Sequence, residues 1–75
     1  MDVAIRGDMI RLGQLLKLAD VADGGGEAKA LLAEGVVSVN GEREERRGRQ
    51  LHPGDVVRVG DDELRVVSIK GSDPL

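Results

Sequence analysis

The sequence predicts an α+β fold, in which a two-helix αL-type motif packs on a small, mainly antiparallel sheet of about three to five strands. Apolar residues recur at helical intervals in the first part of the chain. From Val36 onward they alternate with polar residues, as strands require. Pairs of turn-forming residues separate these alternating runs, which favours hairpins.

Length and composition limit the architecture to one small domain. The chain has 75 residues, near the lower end of the range that folds alone. It has no Phe, Trp or Tyr, so its core must consist of Val, Leu, Ile, Ala and Met. It also lacks cysteine, which excludes disulfides and thiolate metal sites. We treat residues 1–75 as a single domain with a core at about residues 10–69, and expect residues 71–75 to fray.

A short strand and a first helix are predicted at the N-terminus. Weak alternation in "DVAIRG" favours the strand. The helix should run from about Arg11 to Ala19, with Asp8 as an upstream cap and Lys17 on its polar face. Its apolar stripe consists of Leu12, Leu15, Leu16 and Ala19. The stretch "ADGGG" ends this segment because glycine is costly inside a helix.

A second helix should begin at Gly24 or Gly25 and end before Gly35. Glu27 lies in its first turn, where a carboxylate suits the helix dipole. Gly35 follows the last periodic residue, as a left-handed residue at a helix end does. The apolar stripe of this helix is Ala28, Leu31 and Leu32.

The remaining chain predicts a series of hairpins. "VVSVNGER" is a strand, a turn at Asn40-Gly41 and a returning strand. "HPGD" and "DD" are the next turns, and they flank the strands "VVRVG" and "ELRVVSI". We expect a core of Leu12, Leu15, Leu16, Leu31, Leu32, Val37, Val39, Val57, Val59, Leu64 and Val66.

The residue inventory argues against enzyme chemistry. His52 is the single histidine and sits in a turn sequence, and the 14 carboxylates are scattered. A closed cleft is also difficult to build at this size. We therefore predict no catalytic residue, no metal and no cofactor. The chain contains no apolar run of membrane-helix or signal-peptide length, so we expect a soluble, cytoplasmic protein.

Several separated motifs resemble one family. "EAKALLAEGVVSVNGE" resembles the signature of the ribosomal protein S-four-type RNA-binding domain, in which a helix ends at Gly and V-x-V-N-G forms the first hairpin. The residues in register are Ala28, Gly35, Val37, Val39, Asn40 and Gly41. The wider stretch of about residues 10–59 is similar to the free-standing bacterial YaaA/YbcJ-like branch, with I-T-L-G-Q-x-L-K, G-G-x-A-K and R-R-G-R-K-L-x-x-G-D.

The resemblance implies an RNA-binding face formed by the two helices and the hairpin, in a bacterial protein linked to translation or the ribosome. The chain departs from the larger family at Gly24 and Gly25, where Ser-Arg is usual. Within the branch, Arg11 replaces a Thr, which weakens the cap but adds charge, and Gln50 replaces a Lys.

The chain concentrates candidate phosphate-binding groups on this implied face. Glycines at a helix N-terminus expose backbone N–H groups, and the arginine fork suits phosphate. The candidate RNA-binding residues are Lys17, Gly24, Gly25, Gly26, Lys29, Asn40, Arg43, Arg46, Arg47 and Arg49. Arg43 lies amid acidic neighbours, so we expect it to contribute less.

The missing aromatics and the mixed charge leave two interpretations. Without aromatic side chains for base stacking, we expect binding of structured RNA, of the ribosomal or transfer class, by a monomer. A net charge of -3 does not exclude this because the location of charge matters more than its sum. Alternatively, Glu42, Glu44 and Glu45 pair with the arginines, and the domain is a protein-interaction adaptor without RNA binding.

Overall fold

A computed structural model describes residues 1–22 and 25–69 and confirms the α+β architecture. The two helices are α1 (Leu12–Leu18) and α2 (Gly25–Ala33). The strands are β1 (Asp2–Ile5), β2 (Ile10–Arg11), β3 (Val37–Val39), β4 (Glu42–Arg43), β5 (Gln50–Leu51), β6 (Val56–Val59) and β7 (Asp62–Ser68). The predicted fraying of residues 71–75 lies outside the described residues. No helix in the described ranges is long and apolar enough to cross a membrane.

The main sheet has five strands in the order β1-β7-β6-β3-β4. Its pairings are antiparallel except at one edge, where β1 runs parallel to β7. The predicted N-terminal strand therefore exists and completes the sheet. Along the central strands β6 and β7, buried hydrophobic residues alternate with exposed charged residues, as a sheet with one covered face requires.

A second, two-stranded sheet was not anticipated from the sequence. It pairs β2 with β5, with Ile10 opposite Leu51 and Arg11 opposite Gln50. Two-residue strands are too short to show alternation, and the paired residues are 39 and 41 positions apart in the sequence. This sheet is important for the site because it places the start of α1 beside the residues that follow the hairpin.

The core lies between the covered face of the main sheet and the two helices. Ten of the eleven predicted core residues are buried, and Leu31 is only partly buried. Val3 and Ile5 are buried as well, so the packed region starts before residue 10. Leu51 is fully buried, although it lies in a strand of only two residues, Gln50 and Leu51.

The turns confirm the left-handed positions predicted from the sequence. Asn40 and Gly41 have φ of 52° and 88°, as a two-residue hairpin loop demands. Gly35 follows α2 with φ of 76°. The "HPGD" turn is closed by the N–H of Asp55, which donates to the His52 carbonyl at 2.9 Å.

The predicted cap of α1 is wrong. Arg11, not Asp8, is the N-cap residue, with extended backbone angles. An arginine side chain has no acceptor, so only one half of a capping box forms: the Arg11 N–H donates to Gln14 Oε1 at 3.2 Å. The next two N–H groups of α1 find acceptors elsewhere in the chain, as described below.

Candidate nucleic-acid interface

The arginine loop, residues 44–49, connects β4 to β5 and is tied to two other elements. At its start, the Glu44 N–H donates to the Val37 carbonyl at 3.0 Å. Further along, the Arg47 carbonyl accepts from the Gly13 N–H at 3.0 Å, and the Arg49 carbonyl from the Leu12 N–H at 2.9 Å. The loop therefore caps the otherwise unsatisfied N–H groups at the start of α1.

A buried carboxylate organises this loop. Glu44 is 6% exposed. Its Oε2 accepts from the backbone N–H groups of Glu45 and Arg46, at 3.0 and 3.1 Å. Two guanidinium groups complete its shell: Arg46 Nε lies 3.2 Å from Oε2, and Arg49 Nη1 lies 2.8 Å from Oε1. Each carboxylate oxygen is thus used, so this charge is both paired and hydrogen-bonded.

These contacts strongly favour the ionised form of Glu44. Hydrogen bonds from the side chains of Arg46 and Arg49 are the main causes, and they lower the pKa of Glu44 to about 2. Burial opposes the change, and the two backbone N–H groups add to it. The same interaction raises the pKa of Arg46 above its usual value. Glu44 is therefore a fixed negative charge at all physiological pH values.

Beside the loop lies the cationic groove, a shallow depression of about 370 Å³. It is lined by Arg11, Gly13, Gln14, Lys17, Ala28, Arg47 and Gly48. Three of these residues are cationic, and within residues 1–22 and 25–69 no side-chain hydrogen bond or ion pair joins them to another residue. A groove with unneutralised cations and a shape open to solvent is suited to a large anion.

Two glycines of the groove face the cationic side chains. A Cβ at Gly13 would lie 3.4 Å from Arg47 Cβ. A Cβ at Gly48 would lie 3.9 Å from Arg11 Nη1. Both distances are ordinary van der Waals contacts, so a methyl group at either position would touch the facing arginine without a clash.

A second depression continues from the first. It is lined by Arg46, Gly48, Arg49, Gln50 and His52, so Gly48 belongs to both. The two depressions therefore adjoin at Gly48, and each includes basic residues of the arginine loop. Its second part is partly neutralised because Arg46 and Arg49 both contact Glu44.

The structure divides the predicted site residues into several groups. Lys17 and Arg47 meet in the cationic groove. Arg46 and Arg49 are paired with Glu44, although the Arg46 side chain remains 78% exposed. Arg43 forms an ion pair with Glu45 at 2.8 Å, so its expected local pairing is confirmed.

The other predicted residues lie outside the groove. Asn40 uses its amide internally: Nδ2 donates to Asp55 Oδ1 at 3.1 Å, and Oδ1 accepts from the Val56 N–H at 3.0 Å. Gly25 is the first residue of α2, and Gly26 is exposed with open space around it. Lys29 is exposed on α2. Gly24 lies outside the described residues.

Asp55 has a structural role at the hairpin. Burial raises its pKa, but hydrogen bonds from the His52 N–H and the Asn40 amide outweigh burial and lower the pKa overall. Its carboxylate therefore joins the Asn40 turn to the "HPGD" turn. Across residues 1–22 and 25–69, no group of three or more His, Cys, Asp or Glu is placed to hold a metal ion.

Sequence reasoning did not assign Arg11, Glu44, Gly13 and Gly48 to the site. Arg11 was noted only as an added charge at the cap position, because nothing in the sequence indicates the pairing of β2 with β5. Glu44 has two acidic neighbours, Glu42 and Glu45, and only its burial separates it from them. The two glycines match glycines of the quoted family motifs, but the sequence does not show that they line a groove.

Acidic residues gather at a different place. Asp20, Asp61, Asp62 and Glu63 line a depression together with Met1, Ala19, Val21 and Leu64. This depression shares no residue with the cationic groove. Positive and negative charge are thus separated on the surface, which explains how an acidic protein presents a basic site.

Comparisons with known proteins agree with this fold. The S4 domain family model matches residues 3–67. The "Probable ribosome maturation protein RlbA" of Bacillus subtilis (strain 168) is 54% identical over 57 residues, which is 76% of this chain and 80% of that protein. The 30S ribosomal protein S4e from Thermoplasma acidophilum superposes with a TM-score of 0.60 at 23% identity, over 80% of this chain and 32% of that chain, and this likeness shows the fold alone. Because the family match spans nearly the whole chain, the protein belongs to the S4 domain family.

Proposed function

We propose that this protein is a small RNA-binding protein of the ribosome-associated class, and that it binds structured RNA through phosphate groups in the cationic groove. Its family is one of non-catalytic RNA-binding domains. The similarity to a probable ribosome maturation protein supports ribosomal RNA as the first candidate, with transfer RNA as the second. We further propose that it acts in the cytoplasm and as a monomer.

The observation that carries the proposal is the groove itself. Arg11, Lys17 and Arg47 come from the start of α1, its last turn and the arginine loop, and all three line one depression. Among the described residues that line it, none carries a carboxylate. Converging cations without a protein counterion attract phosphate, and they release condensed counterions when an RNA backbone binds.

We also propose that the N-terminus of α2 contributes to phosphate binding. The first N–H groups of a helix bind anions, and Gly26 leaves this end sterically open. Ala28 of the same helix lines the groove. A phosphate backbone lying along the groove would thus pass near the start of α2. Gly25→Asp should weaken RNA binding more than Gly25→Ala, because it places a negative charge at that end.

The test is a titration of a ribosomal RNA hairpin, a transfer RNA and a single-stranded oligonucleotide at several salt concentrations. Arg47→Ala and Lys17→Ala should each weaken binding of both structured RNAs and lower the log–log salt slope by about one. Arg65→Ala is the matched control: it removes the same charge from the exposed face of β7, away from the groove.

The adaptor interpretation makes a different prediction. The pairs Arg43–Glu45, Arg46–Glu44 and Arg49–Glu44 do form a mixed-charge surface, as that interpretation expects. Such a surface would bind a protein with weak salt dependence. If wild type and the groove variants bind RNA equally, or if none binds even at low salt, the adaptor replaces the RNA-binding proposal.

A further inference from the structure

We propose that Glu44 is a positioning residue: its carboxylate holds the arginine loop so that Arg47 faces the cationic groove, and a negative charge thereby supports the binding of an anion. The RNA part of this inference rests on the proposed function. The positioning part concerns the free protein and is measured separately.

The burial of Glu44 is unexpected for a surface that binds phosphate. It is the one charged residue classed as buried in the described ranges, and it lies in the most basic segment of the chain. Simple electrostatics would favour a neutral residue there, since the carboxylate offsets nearby positive charge. A structural benefit must therefore compensate for that cost.

The contacts of Glu44 supply this benefit. Besides the two guanidinium groups, its Oε2 binds the backbone N–H groups of Glu45 and Arg46. These two bonds determine the direction in which the chain leaves β4. The Arg49 N–H then donates to the Arg46 carbonyl at 3.3 Å, which closes the turn around Arg47.

The same loop is held on its other side by α1. The carbonyls of Arg47 and Arg49 accept from the N–H groups of Gly13 and Leu12. Arg47 thus lies between two anchors, Glu44 and the start of α1. Its backbone is engaged, while its side chain is left for the groove.

The arginines therefore have two distinct roles. Arg46 and Arg49 donate hydrogen bonds to the Glu44 carboxylate, so they stabilise the loop, and part of their positive charge is neutralised. Arg47 directs none there and contributes its full charge to the groove. The sequence "RRGR" does not distinguish these roles, because its arginines are chemically identical.

The experiment compares Glu44→Gln with Glu45→Gln. Both remove one negative charge from neighbouring positions, but Glu45 is exposed, and its one ion pair with a described side chain is with Arg43. Glu44→Gln should weaken binding of a ribosomal RNA hairpin by about tenfold, the size of one lost contact. Glu45→Gln should leave the affinity equal or slightly raised, as removal of a negative charge predicts.

A double-mutant cycle separates positioning from general destabilisation. In the Glu44→Gln background, Arg47→Ala should cost clearly less RNA affinity than in wild type, because Arg47 is already misplaced. Additive effects of the two substitutions would overturn the inference. Equal RNA affinity of Glu44→Gln and wild type would overturn it as well.

Amide exchange in the free protein provides a readout without RNA. The Leu12 and Gly13 amides should exchange about threefold faster or more in Glu44→Gln, and should be unchanged in Arg47→Ala. Arg49→Ala keeps Glu44 and removes one donor, so it should show the same faster exchange even if Glu44→Gln fails to fold. If wild type binds no RNA, the proposed function fails. Unchanged exchange in Glu44→Gln or Arg49→Ala would then reject positioning separately.

Discussion

Single residues in the arginine loop differ in their energetic roles although their chemistry is similar. Glu44 is buried and its pKa is about 2, whereas Glu45 is exposed and forms one ion pair. Because the pKa of Glu44 is lower in the folded state, its ionised form stabilises the fold. This stabilisation is complete at pH values above the ordinary pKa of 4.5 and is lost as the pH falls toward 2. The full shift corresponds to about 3 kcal/mol. The exposure of Arg46 reduces the expected contribution to about 1–2 kcal/mol.

This predicts the pH dependence of stability. Between pH 5 and 2, wild type should lose about 1–2 kcal/mol more unfolding free energy than Glu44→Gln, because only wild type must protonate this carboxylate. Urea unfolding at pH 7, 5, 4, 3 and 2 measures the difference, and Glu45→Gln should follow wild type. Asp55 contributes to the acid sensitivity of all three proteins and cancels in the comparison. Parallel curves for wild type and Glu44→Gln would contradict the account.

In helix α2, the two leucines of the predicted apolar stripe are buried to different degrees. Leu31 and Leu32 both belong to its apolar stripe, but Leu32 is 1% exposed while Leu31 packs at the margin of the core. Leu32→Ala should cost about 2–5 kcal/mol, because it opens a cavity among buried side chains. Leu31→Ala should cost less than half of that. Urea unfolding of both variants measures the loss of unfolding free energy. An equal loss would show that α2 buries Leu31 as deeply as Leu32.

On the scale of the whole molecule, the separation of charge allows an acidic domain to carry the basic groove for which we propose RNA binding. The acidic depression and the cationic groove share no residue. At physiological salt, the electrostatic interaction between exposed charges is largely screened beyond about 8 Å. Asp61→Asn with Asp62→Asn would change the net charge by two, more than any groove variant above. It should nevertheless leave the salt slope of RNA binding unchanged and alter the affinity by less than about threefold. A steeper slope would mean that the acidic end contacts RNA.

The sequence by itself determined the elements and the family. Helical spacing, the Asn40-Gly41 turn and Gly35 are local signals, because each depends on neighbouring residues and on backbone angles that few residue types adopt. It also predicted Lys17 and Arg47 as RNA-binding residues, and both line the cationic groove. The tertiary structure decided which residues meet across the chain. The pairing of β2 with β5 brings Arg11 to the groove, and burial selects Glu44 from three nearby glutamates. The physical reason is that burial and desolvation depend on distant partners, which spacing along the chain does not record.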